Sequence, residues 1–176
     1  MVFFAFIGLI VYLSAFFQKV QGDSPIQAGL HICPIGVAFA VAAPISGRLT
    51  GRLGPLPPMI VGLLGGGGAI LGLLVQIAWW NLALGGFGIG LCLTPMTATA
   101  VGAVGSDRAG MASAVHNALR QFGQVLGVAV LGALVYARPG DFVTGLHHAL
   151  WVAGLALLVT GALIAVLLVR PIEHRA

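Results

Sequence analysis

Charge is what this sequence has least of. Asp, Glu, Lys and Arg make up 7% of the 176 residues, and only four are acids: Asp23, Asp107, Asp141 and Glu173. All four fall in connections or the tail, so no apolar run carries the embedded carboxylate that proton carriers in membranes rely on. The two cysteines, Cys33 and Cys92, are too few and too far from any metal-type spacing to form a disulfide framework or a zinc site. Both sit inside apolar runs and read as small core residues. No glycine loop with a phosphate-binding lysine and no nucleophile constellation occurs. No catalytic, metal or cofactor site is therefore expected, and no polar stretch is long enough for a soluble domain or a linker.

Apolar sequence fills the space that is left. Hydrophobic residues are 59% of the chain and the mean hydropathy is +1.07, more apolar surface than a soluble domain of this size can hide. A bilayer core of ~30 Å takes about 20 helical residues per crossing. Six runs meet that length approximately, at 2–18, 25–46, 57–77, 80–104, 109–136 and 144–169. The expected fold is all-α, a polytopic membrane protein with six transmembrane helices in one domain over 1–176. The first run lacks a basic start and a small-residue cleavage site, so it reads as a retained helix. Span two opens on Ser24-Pro25-Ile26-Gln27, the pattern of a capping box with proline at the first helical position. The short connections make consecutive helices antiparallel neighbours.

The few cations indicate the orientation. Arg48, Arg52, Arg108, Arg170 and Arg175 fall on one side, against Lys19 and Arg138 on the other. That excess places the first side, and both termini, in the cytoplasm of a cell membrane. Trp79, Trp80 and Trp151 then lie at the opposite interface. The net charge of +4 is a topology signal and gives no support to a nucleic-acid partner.

Span five carries the chemistry. Ser113, Asn117, Arg120 and Gln124 recur at helical spacing, with His116 and Gln121 beside them. Counted from Arg108 at ~1.5 Å per residue, Arg120 lies about 18 Å deep, near mid-bilayer. An arginine facing lipid there costs at least ~2.5–3.5 kcal/mol, so the stripe must face water or protein. Arg120 and Asn117 either line a substrate path or gate, or Arg120 ties helices together through backbone carbonyls. Gly123 and Gly127, with Gly132 beyond them, read as a close helix-packing surface, as does the Gly65–Gly68 run. Thr94-Pro95 should kink span four and free a carbonyl near Leu91, which either lines a cavity or belongs to a plain kink. Pro34 and Pro44 raise the same question in span two. His31 and His116 could carry a proton or merely pack, and His147, His148 and His174 are given no role.

Three segments carry a family resemblance over essentially the whole chain. Phe17-Gln18-Lys19-Val20-Gln21-Gly22-Asp23-Ser24-Pro25-Ile26-Gln27-Ala28-Gly29-Leu30, with Pro34 after it, resembles the first outer loop of the C-terminal lobe in major facilitator superfamily transporters. It is similar in particular to the fourteen-helix drug–proton antiporters of the EmrB/QacA subfamily. Gly47-Arg48-Leu49-Thr50-Gly51-Arg52-Leu53-Gly54-Pro55 resembles the superfamily's motif between the second and third helices of a lobe. Asp107 to Ser113, followed by Asn117, Arg120-Gln121 and Gly123, resembles the start of the lobe's fifth helix. Two positions depart from the pattern: Gly51 stands where the motif has an acid, and Pro55 where a basic residue is usual.

The resemblance implies one half of a two-lobe transporter that exports a small amphipathic compound against inward proton flow. Asn117, Arg120, Gln121 and Gln124 would face the cavity, and Thr94 and Pro95 would shape it. Gly47, Arg48, Arg52 and Gly54 would form a cytoplasmic gate against anionic headgroups. The implied partners are the lipid bilayer, the substrate, protons, and an N-terminal lobe or a second copy of the chain. The short first run makes the chain read as a fragment or a split-gene product. The rival expectation is a stand-alone lobe acting as a scaffold or as an oligomeric half-transporter.

Overall fold

The computed structural model describes residues 1–102, 108–137 and 140–169, with side chains to residue 167. Within them the chain forms six helices: α1 Val2–Lys19, α2 Pro25–Leu53, α3 Leu56–Gly72, α4 Trp79–Gly102, α5 Ala109–Val135 and α6 Phe142–Val169. Five are long and apolar enough to cross a membrane, and α3 is a shorter apolar helix of 17 residues. Asp107, Arg138, Arg170, Glu173, His174 and Arg175 lie outside the described residues, as does the expected end of span four at Val104.

Helix ends follow local chemistry. The capping box of α2 forms: the Gln27 amide donates to Ser24 Oγ at 3.4 Å, and the Ser24 amide donates to Gln27 Oε1 at 2.9 Å. At its other end α2 continues past Ser46, where the apolar run ends, to Leu53. Gly54 stops it with φ +83°, which Pro55 after it reinforces. Its 29 residues span ~44 Å at ~1.5 Å each, so Arg48 and Arg52 ride on helix that outruns a ~30 Å apolar core. α3 stops at Gly72, short of the expected Ile77. There Asn81 Nδ2 donates to the carbonyls of Gly72 at 3.3 Å and Gln76 at 3.0 Å, holding the turn into α4. α6 starts at Phe142, earlier than Thr144, with the Asp141 carboxylate accepting from the Thr144 amide at 3.2 Å.

Glycine decides which helices meet. The most extensive crossings are α2–α4, α3–α4, α3–α6 and α1–α5; consecutive helices do touch, as the short connections imply, but among these four crossings only α3–α4 joins helices consecutive in sequence. α4 is clamped on two sides. A Cβ at Gly88 would sit 2.5 Å from the Gly66 amide nitrogen and 2.7 Å from the Gly62 carbonyl of α3; one at Gly90 would sit 2.7 Å from Ala42 Cβ of α2. At the α1–α5 crossing a Cβ on Gly127 would collide with the Phe4 carbonyl. The core filling these contacts is aliphatic, with Leu13, Leu63, Ile70, Ile89, Leu131 and Leu157 fully buried.

Proline is absorbed in the same region. α4 runs through Pro95 without a break, although proline cannot donate to the carbonyl four residues back. That carbonyl belongs to Leu91, and Ser46 Oγ of α2 donates to it at 2.5 Å. Ser46 is fully buried and is the one buried polar residue of the described chain. The freed carbonyl, expected either at a cavity or in a plain kink, is bonded between helices inside the core.

Candidate functional site

α5 is held to the bundle by one narrow edge. Gly127, Leu131, Gly132 and Val135 are its buried residues, and Tyr12 of α1 donates from its hydroxyl to the Val128 carbonyl at 2.5 Å. The cytoplasm-side half of the helix, as the loop charges orient it, stands clear. Ser113, Asn117, Arg120 and Gln121 are exposed, while His116 and Gln124 are half-buried. The helical register gathers Ser113, Asn117, Arg120, Gln121 and Gln124 on one shoulder. Arg120 places its guanidinium over the Phe3 ring of α1, 5.3 Å from the centroid, a cation–π contact. No backbone carbonyl or carboxylate among the described residues accepts from it.

Gly127 makes the close approach to α1, whereas a Cβ on Gly123 would sit 3.8 Å from Phe4 N, ordinary contact. Beside Arg120 a cavity of about 260 Å³ opens between α1, α3, α4, α5 and α6, with His116, Met59, Cys92, Met96 and Thr160 among its walls. A groove of about 440 Å³ lies between the ends of α4 and α5, bounded by Ala100, Arg108, Met111, Val115 and Leu119. Between α1 and α2 a third opening of about 520 Å³ is apolar, walled by Phe6, Ile10, Ile32, Cys33 and Val37. Phe6 stacks there on Phe39 at 5.9 Å. Cys33, expected in the core, is exposed on this opening, while Cys92 is buried.

The remaining expected residues divide. Thr94 is half-buried, its hydroxyl 3.5 Å from the Ala43 carbonyl of α2. Pro95 is fully buried, so it shapes α4 from within the core. Gly47, Arg48 and Arg52 are exposed on the last turns of α2, and Gly54 ends the helix. A groove of about 410 Å³ lies alongside, between Thr50 and Pro55 on one wall and Ala98 and Thr99 on the other.

The structure adds a pair that spacing along the chain does not reveal. Asp23 precedes the α2 cap, and His31 is two turns into that helix. Even so, Asp23 Oδ2 lies 3.4 Å from His31 Nε2. The sign that could have pointed to it is Gly22, whose φ of +77° turns the connection back. At the same end Lys19 Nζ donates to the Tyr136 hydroxyl at 3.0 Å. No group of three or more potential His, Cys, Asp or Glu metal ligands occurs among the described residues.

The arrangement offers membrane-crossing helices, apolar openings and one polar shoulder. Comparison with known proteins agrees with it. The chain is 40% identical over 145 residues to the multidrug resistance protein Stp of Mycobacterium tuberculosis, covering 77% of this chain and 26% of that protein. It is 32% identical over 180 residues to the methylenomycin A resistance protein of Streptomyces coelicolor, 98% of this chain and 38% of the relative. It is 32% identical over 146 residues to the tetracenomycin C resistance and export protein of Streptomyces glaucescens, 78% of this chain and 27% of the relative. The chain thus spans between about a quarter and two fifths of the length of these relatives. The family model described as Major Facilitator Superfamily matches residues 1–176, and the chain, a multi-pass membrane protein, belongs to that superfamily.

Proposed function

We propose that the chain is the C-terminal six-helix lobe of a drug exporter, working with a second lobe to move a small amphipathic compound out of the cell against inward proton flow. The observation that carries this reading is the polar shoulder of α5. Arg120 sits near mid-bilayer, exposed, with the Phe3 ring as its neighbour. An intramembrane cation in that state needs water or a protein partner, and a substrate passage between two lobes supplies both. Relatives named for multidrug resistance and for export of tetracenomycin C support the substrate class.

In this reading Asn117, Arg120, Gln121 and Gln124 face the passage, and Thr94 lies on its α4 wall. Gly47, Arg48, Arg52 and Gly54 sit at the cytoplasmic end of α2, where the arginines meet anionic headgroups. Both termini are cytoplasmic, following the loop arginines. The partners are the bilayer, protons, the substrate and an N-terminal lobe. No bond-breaking chemistry is assigned. The test is Arg120→Ala in the complete transporter. Efflux is lost while the protein still inserts and accumulates in the membrane; normal efflux by that variant refutes the assignment.

A further inference from the structure

The connection between α1 and α2 folds inward. With Gly22 in the left-handed region, the Asp23 amide donates to the Phe17 carbonyl at 3.1 Å. This turn brings the Asp23 carboxylate to His31. The His31 ring in turn lies flat on Phe17, with centroids 4.7 Å apart and planes 15° from parallel. Asp23 Oδ2 is buried and makes no hydrogen bond. An anionic oxygen buried without a donor is strongly unfavourable unless a positive charge faces it. The group that faces it is His31 Nε2, at 3.4 Å. Phe17, stacked beneath the ring, favours the cationic imidazole through its π face.

The other charged or titratable side chains at this end, among the described residues, are Lys19, Tyr136, Asp141, His147 and His148. Lys19 of α1 and Tyr136 after α5 bind each other. Asp141 accepts from the Thr144 amide at the start of α6, which also carries His147 and His148.

We propose that Asp23 and His31 form a proton-binding site at the outer end of the bundle. His31 takes the proton from water on that side, with Nε2 facing Asp23 Oδ2. The imidazolium holds Asp23 Oδ2 in its buried position. Release of the proton leaves that carboxylate without a counter-charge and frees the α1–α2 connection to swing out. A role in transport rests on the proton-coupled reading above; proton binding itself does not.

The test uses the chain labelled with ¹⁵N-histidine in phosphatidylcholine–phosphatidylglycerol nanodiscs, with His31 resonances identified by their absence in His31→Gln. At about pH 6 His31 shows the imidazolium pattern, and Asp23→Asn reduces its population by about threefold or more. An unchanged population in Asp23→Asn, or a neutral His31 throughout about pH 5–8, overturns the proposal. A second readout uses ethidium uptake by inverted vesicles carrying the complete transporter. Wild-type uptake responds to luminal acidification and His31→Gln uptake does not. Parallel pH profiles overturn the role in transport. No ethidium uptake by wild type overturns the efflux reading, and the nanodisc spectra then decide proton binding alone.

Discussion

Ser46→Ala should destabilise the bundle because it unbinds one specific carbonyl, and a second substitution should cancel that loss. Pro95 offers no amide to the Leu91 carbonyl, and Ser46 Oγ takes its place from α2 at 2.5 Å. Ser46 is 0% exposed, so no water replaces the hydroxyl when it is removed. A buried acceptor left unpaired costs about 1–3 kcal/mol in soluble proteins. Hydrogen bonds between membrane helices average about 0.6 and reach about 1.7 kcal/mol. The expected loss for Ser46→Ala is therefore about 1–1.5 kcal/mol. For a chain of this size that lowers Tm by about 2–6 °C.

Pro95→Ala restores an amide at position 95, which reaches the Leu91 carbonyl by the ordinary helical bond. In that background Ser46→Ala should cost about 0.5 kcal/mol or less, since the carbonyl already has a donor. The assay is built into the chain. Cys92 is 1% exposed and reports unfolding through a thiol-reactive fluorophore, once exposed Cys33 is changed to Ser. The double-mutant cycle refutes the reasoning if Ser46→Ala costs the same with and without Pro95. Ser46 would then matter for packing alone.

Gly88→Ala should be far worse than Gly65→Ala although both change glycine in a helix. The first puts a carbon 2.5 Å from the Gly66 amide nitrogen, where only backbone could yield, and the second meets nothing within 4 Å. Thermal unfolding followed at Cys92 should show Gly88→Ala losing about 1–3 kcal/mol or more and Gly65→Ala gaining up to about 1 kcal/mol. Tyr12→Phe should lose the hydroxyl bond to the Val128 carbonyl, at a cost of about 0.6–1.7 kcal/mol in the same assay. In the folded protein a small maleimide should label Cys33 readily, and Cys92 only after unfolding; fast labelling of Cys92 would contradict its burial.

Composition and run length were enough to read an all-helical membrane chain, because a bilayer imposes one length scale and one solvent on every crossing. Local punctuation was also legible: Ser24 to Gln27 form the capping box their spacing predicts. Reading failed where two helices distant in sequence act on one atom. Nothing in the neighbourhood of Pro95 says that Ser46, 45 residues before Leu91, supplies the missing donor. The Gly47–Gly54 motif looked like a connection because it holds two arginines and three glycines. It is mostly helix, since α2 simply projects beyond the apolar core and the arginines need no loop to reach water. Asp23 lies in the α1–α2 connection, as expected; what spacing did not reveal is that its carboxylate reaches His31.

The polar stripe on α5 was visible as spacing, and spacing alone left two readings of Arg120 open. Its exposure supports the proposed passage. The Arg120 guanidinium meets the Phe3 ring and no backbone carbonyl among the described residues. Comparison of α5 with α6 gives the argument its direction. The exposed residues of α6 from Trp151 to Leu167 are all apolar, Trp151, Leu155, Val159 and Leu163 among them, a surface that lipid satisfies. α5 exposes Ser113, Asn117, Arg120 and Gln121 at the same bilayer depths, and lipid there would cost at least ~2.5–3.5 kcal/mol for the arginine alone. Two helices of one bundle, of 27 and 28 residues, thus present different surfaces. In the proposed reading α6 faces acyl chains, and the polar shoulder of α5 faces the passage between two lobes.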